Sequence, residues 1–210
     1  MKIFETRISS AVARVRIALA LKGLAAEVDD VSILGDCPRS RSPEYLEVNP
    51  QGLVPALLTD DGDLLTQSLA IIEFLDERYP EPPLLPDGLA ARAQARAIAL
   101  CIAAEVHALL TPRVAATLKS LPGFDASTAI AWNQKWIQEG LTSVEALLAR
   151  QDGAFCVGDR PSMADILLFP QAINTERAGI ALSQWPRIDA VVARLRAIPA
   201  FALNAPAPRK

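Results

Sequence analysis

A single histidine, His107, stands in the 210 residues. That scarcity removes His-rich metal centres and most histidine-based triads from consideration. The three cysteines, Cys37, Cys101 and Cys156, are odd in number, far apart and without a metal-ligand spacing. They read as reduced thiols of a cytoplasmic protein, with no disulfide frame and no metal. An excess of basic charge is missing too. A net charge of -3 and a pI near 5.3 give no reason to expect nucleic acid or an anionic membrane as partner. No unbroken apolar run approaches the roughly 20 residues of a membrane span. Arg7 and Arg14 come too early for a signal peptide. Internal repeats and low-complexity tracts are also lacking.

What is there is globular. Hydrophobic residues make up 51% and charged residues 21%, enough to bury a substantial core in one large domain or two small ones.

Lys2 to Thr6 is a candidate strand. Ser9 or Ser10 caps a helix to about Leu21, with Gly23 as terminator. Ala26 to Ile33 reads as a second strand, and the helix between makes the pair parallel. A polar loop follows, carrying Cys37, Arg39 and Arg41, then a short helix with Pro43 at its first position. Asn49 to Ser68 holds a Pro50–Gly52 turn, two short apolar strands around Asp60–Asp63, and Gln67–Ser68 where a new helix begins. Two parallel strands, an antiparallel hairpin and flanking helices make a thioredoxin-like α/β pattern. Pro80 to Gly88 is a stiff, proline-rich linker. Beyond it the period is helical: a long helix from Leu89 towards Leu118 with an irregularity at Pro112, then helices over about 126–150, 162–178 and 186–198. Ser162 and Asp165 form a capping-box variant. The expected organisation is residues 1–80 as an α/β domain, 81–88 as linker, 89–204 as an all-α bundle and 205–210 as a flexible tail.

Pro55 cannot donate to a strand ladder where its apolar run begins. A Val54-Pro55 step entering an edge strand is a candidate cis bond, leaving the Val54 amide and carbonyl to pair with a peptide-like ligand. At Ser9 and Ser10, helix amides and the positive dipole end favour an anion, and plain N-capping is the simpler role for either serine. The same two readings apply to Gln67 and Ser68.

The run Asn49 to Pro55 with Gln67 to Glu73 resembles the glutathione-binding half of the glutathione transferase superfamily. Ser9-Ser10 and Arg14 to Leu19 are similar to the zeta class, which includes maleylacetoacetate and maleylpyruvate isomerases. The run Val157 to Asp165 resembles a motif of the family's helical domain. The resemblance implies glutathione as cofactor, lying beside Val54 and Pro55, with Gln51 near its glycyl end and Gln67 and Ser68 on its γ-glutamyl carboxylate. Ser10 or Ser9 would activate the thiol, whose pKa of about 8.5 a helix start lowers. On the helical domain His107, Arg113 and Arg177 match positions that hold the same residue types in the isomerases, and would meet a diketo-acid substrate. The implied activity is cis-trans isomerisation of a maleylacetoacetate-type diketo acid in a cytoplasmic homodimer of aromatic amino acid catabolism. The alternatives are glutathione conjugation or dehalogenation of a small apolar electrophile, and a non-catalytic binding protein of the same fold. The chain departs from the pattern at Ile8, Ala11, Ala13, Ala108, Leu110 and Thr111, which implies a more apolar pocket. Arg7, one place before the usual cationic position, is expected to point to the other face of its strand end.

Overall fold

The computed structural model describes Met1 to Pro208. By its contacts the chain forms two compact units, Met1–Leu84 with Pro199–Lys210, and Leu85–Ile198.

In the first unit, β1 (Lys2–Glu5) leads through α1 (Ser10–Leu21) to β2 (Glu27–Asp30), and a short α2 (Pro43–Val48) precedes β3 (Ala56–Leu58), β4 (Leu64–Thr66) and α3 (Ser68–Arg78). The sheet order is β2-β1-β3-β4. β1 runs parallel to β2 with Ile3 opposite Val28, and antiparallel to β3 with Ile3 opposite Leu57. The short crossover helix and the hairpin impose that mixed sheet, since only antiparallel neighbours can be joined by a tight turn. α1 and α3 pack on each other and bury Val12, Val15, Ile17, Ile71, Ile72 and Leu75 completely. β2 is shorter than the expected Ala26–Ile33, because it is an edge strand with only β1 to pair with.

Lys22 closes the unit from beneath. Its side chain is wholly buried. The ammonium donates to Asp76 Oδ1 at 2.6 Å and to the carbonyls of Tyr79 and Pro82 at 2.6 and 2.8 Å. All three of its donors are used, so a buried cation anchors the proline-rich segment. Asp76 Oδ1 also accepts the Leu84 amide at 2.7 Å. The division between the units falls after Leu84, inside the expected linker 81–88.

The end of the chain differs from expectation. α9 (Pro199–Ala202) packs on α1, Asn204 Oδ1 accepts from Arg16 Nε at 3.1 Å, and the Ala207 amide donates to the Arg7 carbonyl at 2.7 Å. Residues 199–204 thus belong with the first unit. Within the expected flexible tail, 205–208 is tied down with Pro206 buried; Arg209 and Lys210 lie outside the described residues.

The second unit contains α4 (Leu89–Leu100), α5 (Pro112–Lys119), α6 (Ala126–Leu148), α7 (Met163–Arg177) and α8 (Pro186–Arg196). The single long helix expected over 89–118 is broken. A π-helical stretch Cys101–Val106 and a 3-10 turn His107–Leu110 follow α4, and Pro112 opens α5 as a separate helix. The break lies before the proline as well as at it. By length and composition Leu89–Lys119 is apolar enough to cross a membrane. Within it Ile98, Ala99, Ile102 and Val106 are buried against α6 and α7, whereas Leu89 and Leu100 are exposed. A Cβ at Gly140 would stand 2.0 Å from Val106 Cγ2, so the absence of a side chain there lets α6 close on the π-helical stretch.

Candidate functional site

The expected binding residues of the first unit fall on the start of α1, the loop before β3, and the start of α3.

The loop is held from several sides. The Asn49 side chain, 1% exposed, donates to the Leu53 carbonyl at 2.7 Å and accepts the Gln51 amide at 3.1 Å. Tyr45 donates its hydroxyl to the same Leu53 carbonyl at 2.7 Å. Gly52, at φ +61, packs so closely that a Cβ would meet Arg41 Nη1 at 2.7 Å and the Ser40 carbonyl at 2.8 Å. Arg41 donates to the Gln51 carbonyl at 3.3 Å, whereas Arg39 is engaged with Asp29. Arg41 therefore braces the turn. The loop delivers Val54 with its side chain in the core beside Val12 of α1, and Val54-Pro55 is cis, as expected. Among the described residues no backbone hydrogen bond engages the Val54 amide or carbonyl. This is the unpaired peptide edge that an extended peptide needs.

Gln51 and Gln67, sixteen residues apart, are brought together: Gln67 Nε2 donates to Gln51 Oε1 at 2.6 Å. Gln67 is also the one described non-glycine residue with positive φ, at 69°. Backbone in that region is costly for a residue with a Cβ and clusters at functional sites. No side chain caps the start of α3. Its first amides and Ser68 Oγ thus form a set of donors suited to a carboxylate. Arg14, buried in α1, donates from Nη1 to Ser68 Oγ at 3.4 Å.

At the start of α1, Ser9 is the N-cap in extended conformation, and its Oγ accepts the Val12 amide at 3.3 Å. A serine oxygen used as acceptor still has its own O–H to donate. Ser10 is the first helical residue and only 4% exposed. No acidic residue neutralises the first turn. Arg7 lies in the turn after β1, not on the strand, and donates to the Leu203 carbonyl at 3.2 Å.

In the second unit His107 begins the 3-10 turn, Arg113 is the second residue of α5, and Arg177 is the last residue of α7. His107 is half-buried and the two arginines are exposed. They lie on three separate elements. Glu176 is engaged by Arg196 at 2.5 Å. Asp165 accepts the amides of Cys156 and Ser162 at 3.0 and 2.8 Å and the Ser162 hydroxyl at 2.9 Å. Leu110 lines a small apolar hollow of about 30 Å³ with Leu109, Leu118, Phe124 and Trp132, so that departure fills hydrophobic space. Sequence reasoning gave no role to Asn49, Tyr45 or Arg14. An asparagine directly before Pro50 at a helix end was the available signal for the first. For the other two there was none, because their partners are distant in sequence.

The mixed four-stranded sheet, the unpaired peptide edge at Val54 and the uncapped start of α3 make a thioredoxin-like α/β unit able to hold an extended peptide. The glutathione S-transferase N-terminal domain matches residues 8–78 and the C-terminal domain matches residues 128–197. The chain belongs to the glutathione S-transferase family. It is 44% identical over 207 residues to a maleylacetoacetate isomerase of Pseudomonas aeruginosa, covering 99% of this chain and 96% of that one. A holo maleyl pyruvate isomerase, described as a bacterial glutathione S-transferase in zeta class, superposes with a TM-score of 0.93 at 36% identity, over 100% of this chain and 98% of the other. A maleylacetoacetate isomerase from Methylobacterium extorquens, solved with bound malonate and GSH, gives the same TM-score, identity and coverage.

Proposed function

We propose that this chain is a zeta-type glutathione transferase that isomerises a maleylacetoacetate-type diketo acid from cis to trans. The observation that carries the reading is the 44% identity to a maleylacetoacetate isomerase over 99% of the chain. The residues present fit glutathione: a free peptide edge at Val54, an uncapped α3 with Ser68 at its head, and a serine at the positive end of α1.

Bound glutathione would supply a thiolate nucleophile able to add reversibly to the substrate's double bond. The chain's own residues prepare that step. Val54 pairs its amide and carbonyl with the cysteinyl segment, and Pro55 holds the strand entry. Gln51 meets the glycyl end. Gln67 and Ser68 receive the γ-glutamyl carboxylate. Ser9 turns its hydroxyl proton to the sulfur while its oxygen keeps the Val12 amide, which favours Ser9 over Ser10 as the activating residue. The dipole of α1 adds to that stabilisation of negative charge. His107, Arg113 and Arg177 serve the substrate's carboxylates and carbonyls. We place the enzyme in the cytoplasm, as a homodimer serving aromatic amino acid catabolism.

The test is turnover of maleylacetone with glutathione, against conjugation of chlorodinitrobenzene. Selective use of the aromatic chloride would replace isomerisation with conjugation or dehalogenation of a small apolar electrophile. No thermal shift with millimolar glutathione would point instead to a non-binding, non-catalytic member of the fold. Ser9→Ala should raise the thiol pKa of the bound tripeptide, read by ultraviolet thiolate absorbance, and Ser10→Ala should leave it unchanged. The reverse result would transfer the role to Ser10. Light scattering decides the dimer.

A further inference from the structure

We propose that Arg14 is a positioning residue for the γ-glutamyl carboxylate: from inside the core it fixes Ser68 as an outward hydrogen-bond donor and sets an uncompensated positive charge behind the anion. The inference rests on the glutathione reading above.

Arg14 is the fifth residue of α1 and 1% exposed. A guanidinium carries five N–H donors, and a structural arginine in a core has them met by carbonyls or carboxylates. Here Nη1 reaches Ser68 Oγ at 3.4 Å, whereas Nε and Nη2 have no hydrogen-bond partner among the described residues. Burial alone pushes its pKa down to about 9, and no carboxylate offsets that shift. The core therefore houses a charge that it does not itself satisfy, at the head of an eleven-residue helix with no side-chain cap.

The chemistry of Ser68 turns this into a directional device. A serine hydroxyl has one proton and two lone pairs. With Nη1–H occupying a lone pair, the proton is left for an acceptor on another side. The first amides of α3 are themselves donors and cannot take it. An anion at the helix start accepts it, and also receives the field of a cation that low local dielectric leaves poorly screened. Arg14 is too deeply buried to touch the ligand, so it acts through Ser68.

The experiment is calorimetric binding of two thioether peptides: S-methylglutathione, and its analogue with γ-aminobutyrate in place of γ-glutamate, which lacks only that carboxylate. In the wild type the first should bind at least about tenfold more tightly, the scale of one charge-assisted hydrogen bond. R14M, close in volume, should weaken S-methylglutathione by about 10- to 30-fold and leave the analogue within about twofold. In an S68A background R14M should cost no more than about threefold further. R14M should also be at least as resistant to urea as the wild type without ligand, since it removes an unpaired buried charge. R14K, keeping the charge without the fork, should retain part of the discrimination. Equal weakening of both peptides by R14M, or no weakening, would overturn the proposal in favour of simple core support. So would an R14M that fails to fold, because the guanidinium would then be serving the core. A wild type with no affinity for S-methylglutathione would instead overturn the glutathione reading itself.

Discussion

Four helix starts in this protein meet the same electrostatic problem and solve it in two ways. At three starts in the helical unit, those of α6, α7 and α8, the chain supplies its own acid. Asp165 closes α7 from inside the core, and Glu145 of α6 reaches the first turn of α8, accepting the Arg187 and Ile188 amides at 3.0 Å each. Asp125 caps α6 at the surface, accepting the Thr128 amide at 2.8 Å. At α3 no side chain does this, the preceding Gln67 is held at positive φ, and the Ser68 hydroxyl accepts from the buried Arg14 cation. A helix start is an anion site in every case. Three are filled by carboxylates of the chain and the fourth has no side-chain cap. A serine at a helix start is therefore a cap or a binding group according to what the fold places around it.

The largest expected effect breaks a closed start. Asp165→Ala strips a buried acceptor from two amides and a hydroxyl, at about 1–3 kcal/mol each, so the loss should be about 3 kcal/mol or more by urea unfolding. Glutathione affinity per folded molecule should not change. The open start should show the converse. Ser68→Ala should weaken glutathione by about 10- to 100-fold in calorimetry, with stability altered by no more than about 1 kcal/mol.

A smaller effect tests the strain. Gln67→Gly removes a positive-φ side chain, worth about 1 kcal/mol in favour of the fold, and removes the bond to Gln51. Net stability should hold or rise slightly while glutathione binds more weakly; a clear loss of stability would mean that the turn is not strained.

The smallest effect concerns acid. Three hydrogen bonds, from the Thr128 amide and the Ser127 and Thr128 hydroxyls, hold the Asp125 carboxyl down at about 2. Because its folded pKa lies below the unfolded value of about 4, the folded state binds this proton less tightly. Its contribution is thus fully present above about pH 4 and lost as pH falls through about 2. Asp125→Ala should remove that acid dependence from α6, read as amide exchange protection of its first turn. Asp165 titrates in the opposite sense. Burial holds it above its ordinary range, so its contribution to stability falls as pH rises through the raised value.

Much of the first unit was legible locally. Ser42-Pro43 marks a helix start, Asp-Asp-Gly-Asp marks a hairpin, and Val54-Pro55 at a strand entry marks a bend, because each depends on neighbours within a few residues. The long helix over 89–118 was misread for the complementary reason. Nothing in Cys101 to Leu110 forbids α-helix; the π-helical and 3-10 segments arise where this stretch packs on α6 at Gly140. The edge-strand length of β2 and the docking of 199–208 onto the first unit were likewise set by partners far along the chain.

The order of elements, the mixed sheet and the anion-seeking helix starts were determined by the amino-acid sequence alone, since hydrophobic period, proline and glycine act over short range. Only the tertiary structure decided the surroundings of the α3 start, because they depend on Arg14 reaching Ser68 across 54 positions and on Gln51 meeting Gln67 across sixteen. Contacts of that separation are fixed by packing, and packing is a property of the whole unit.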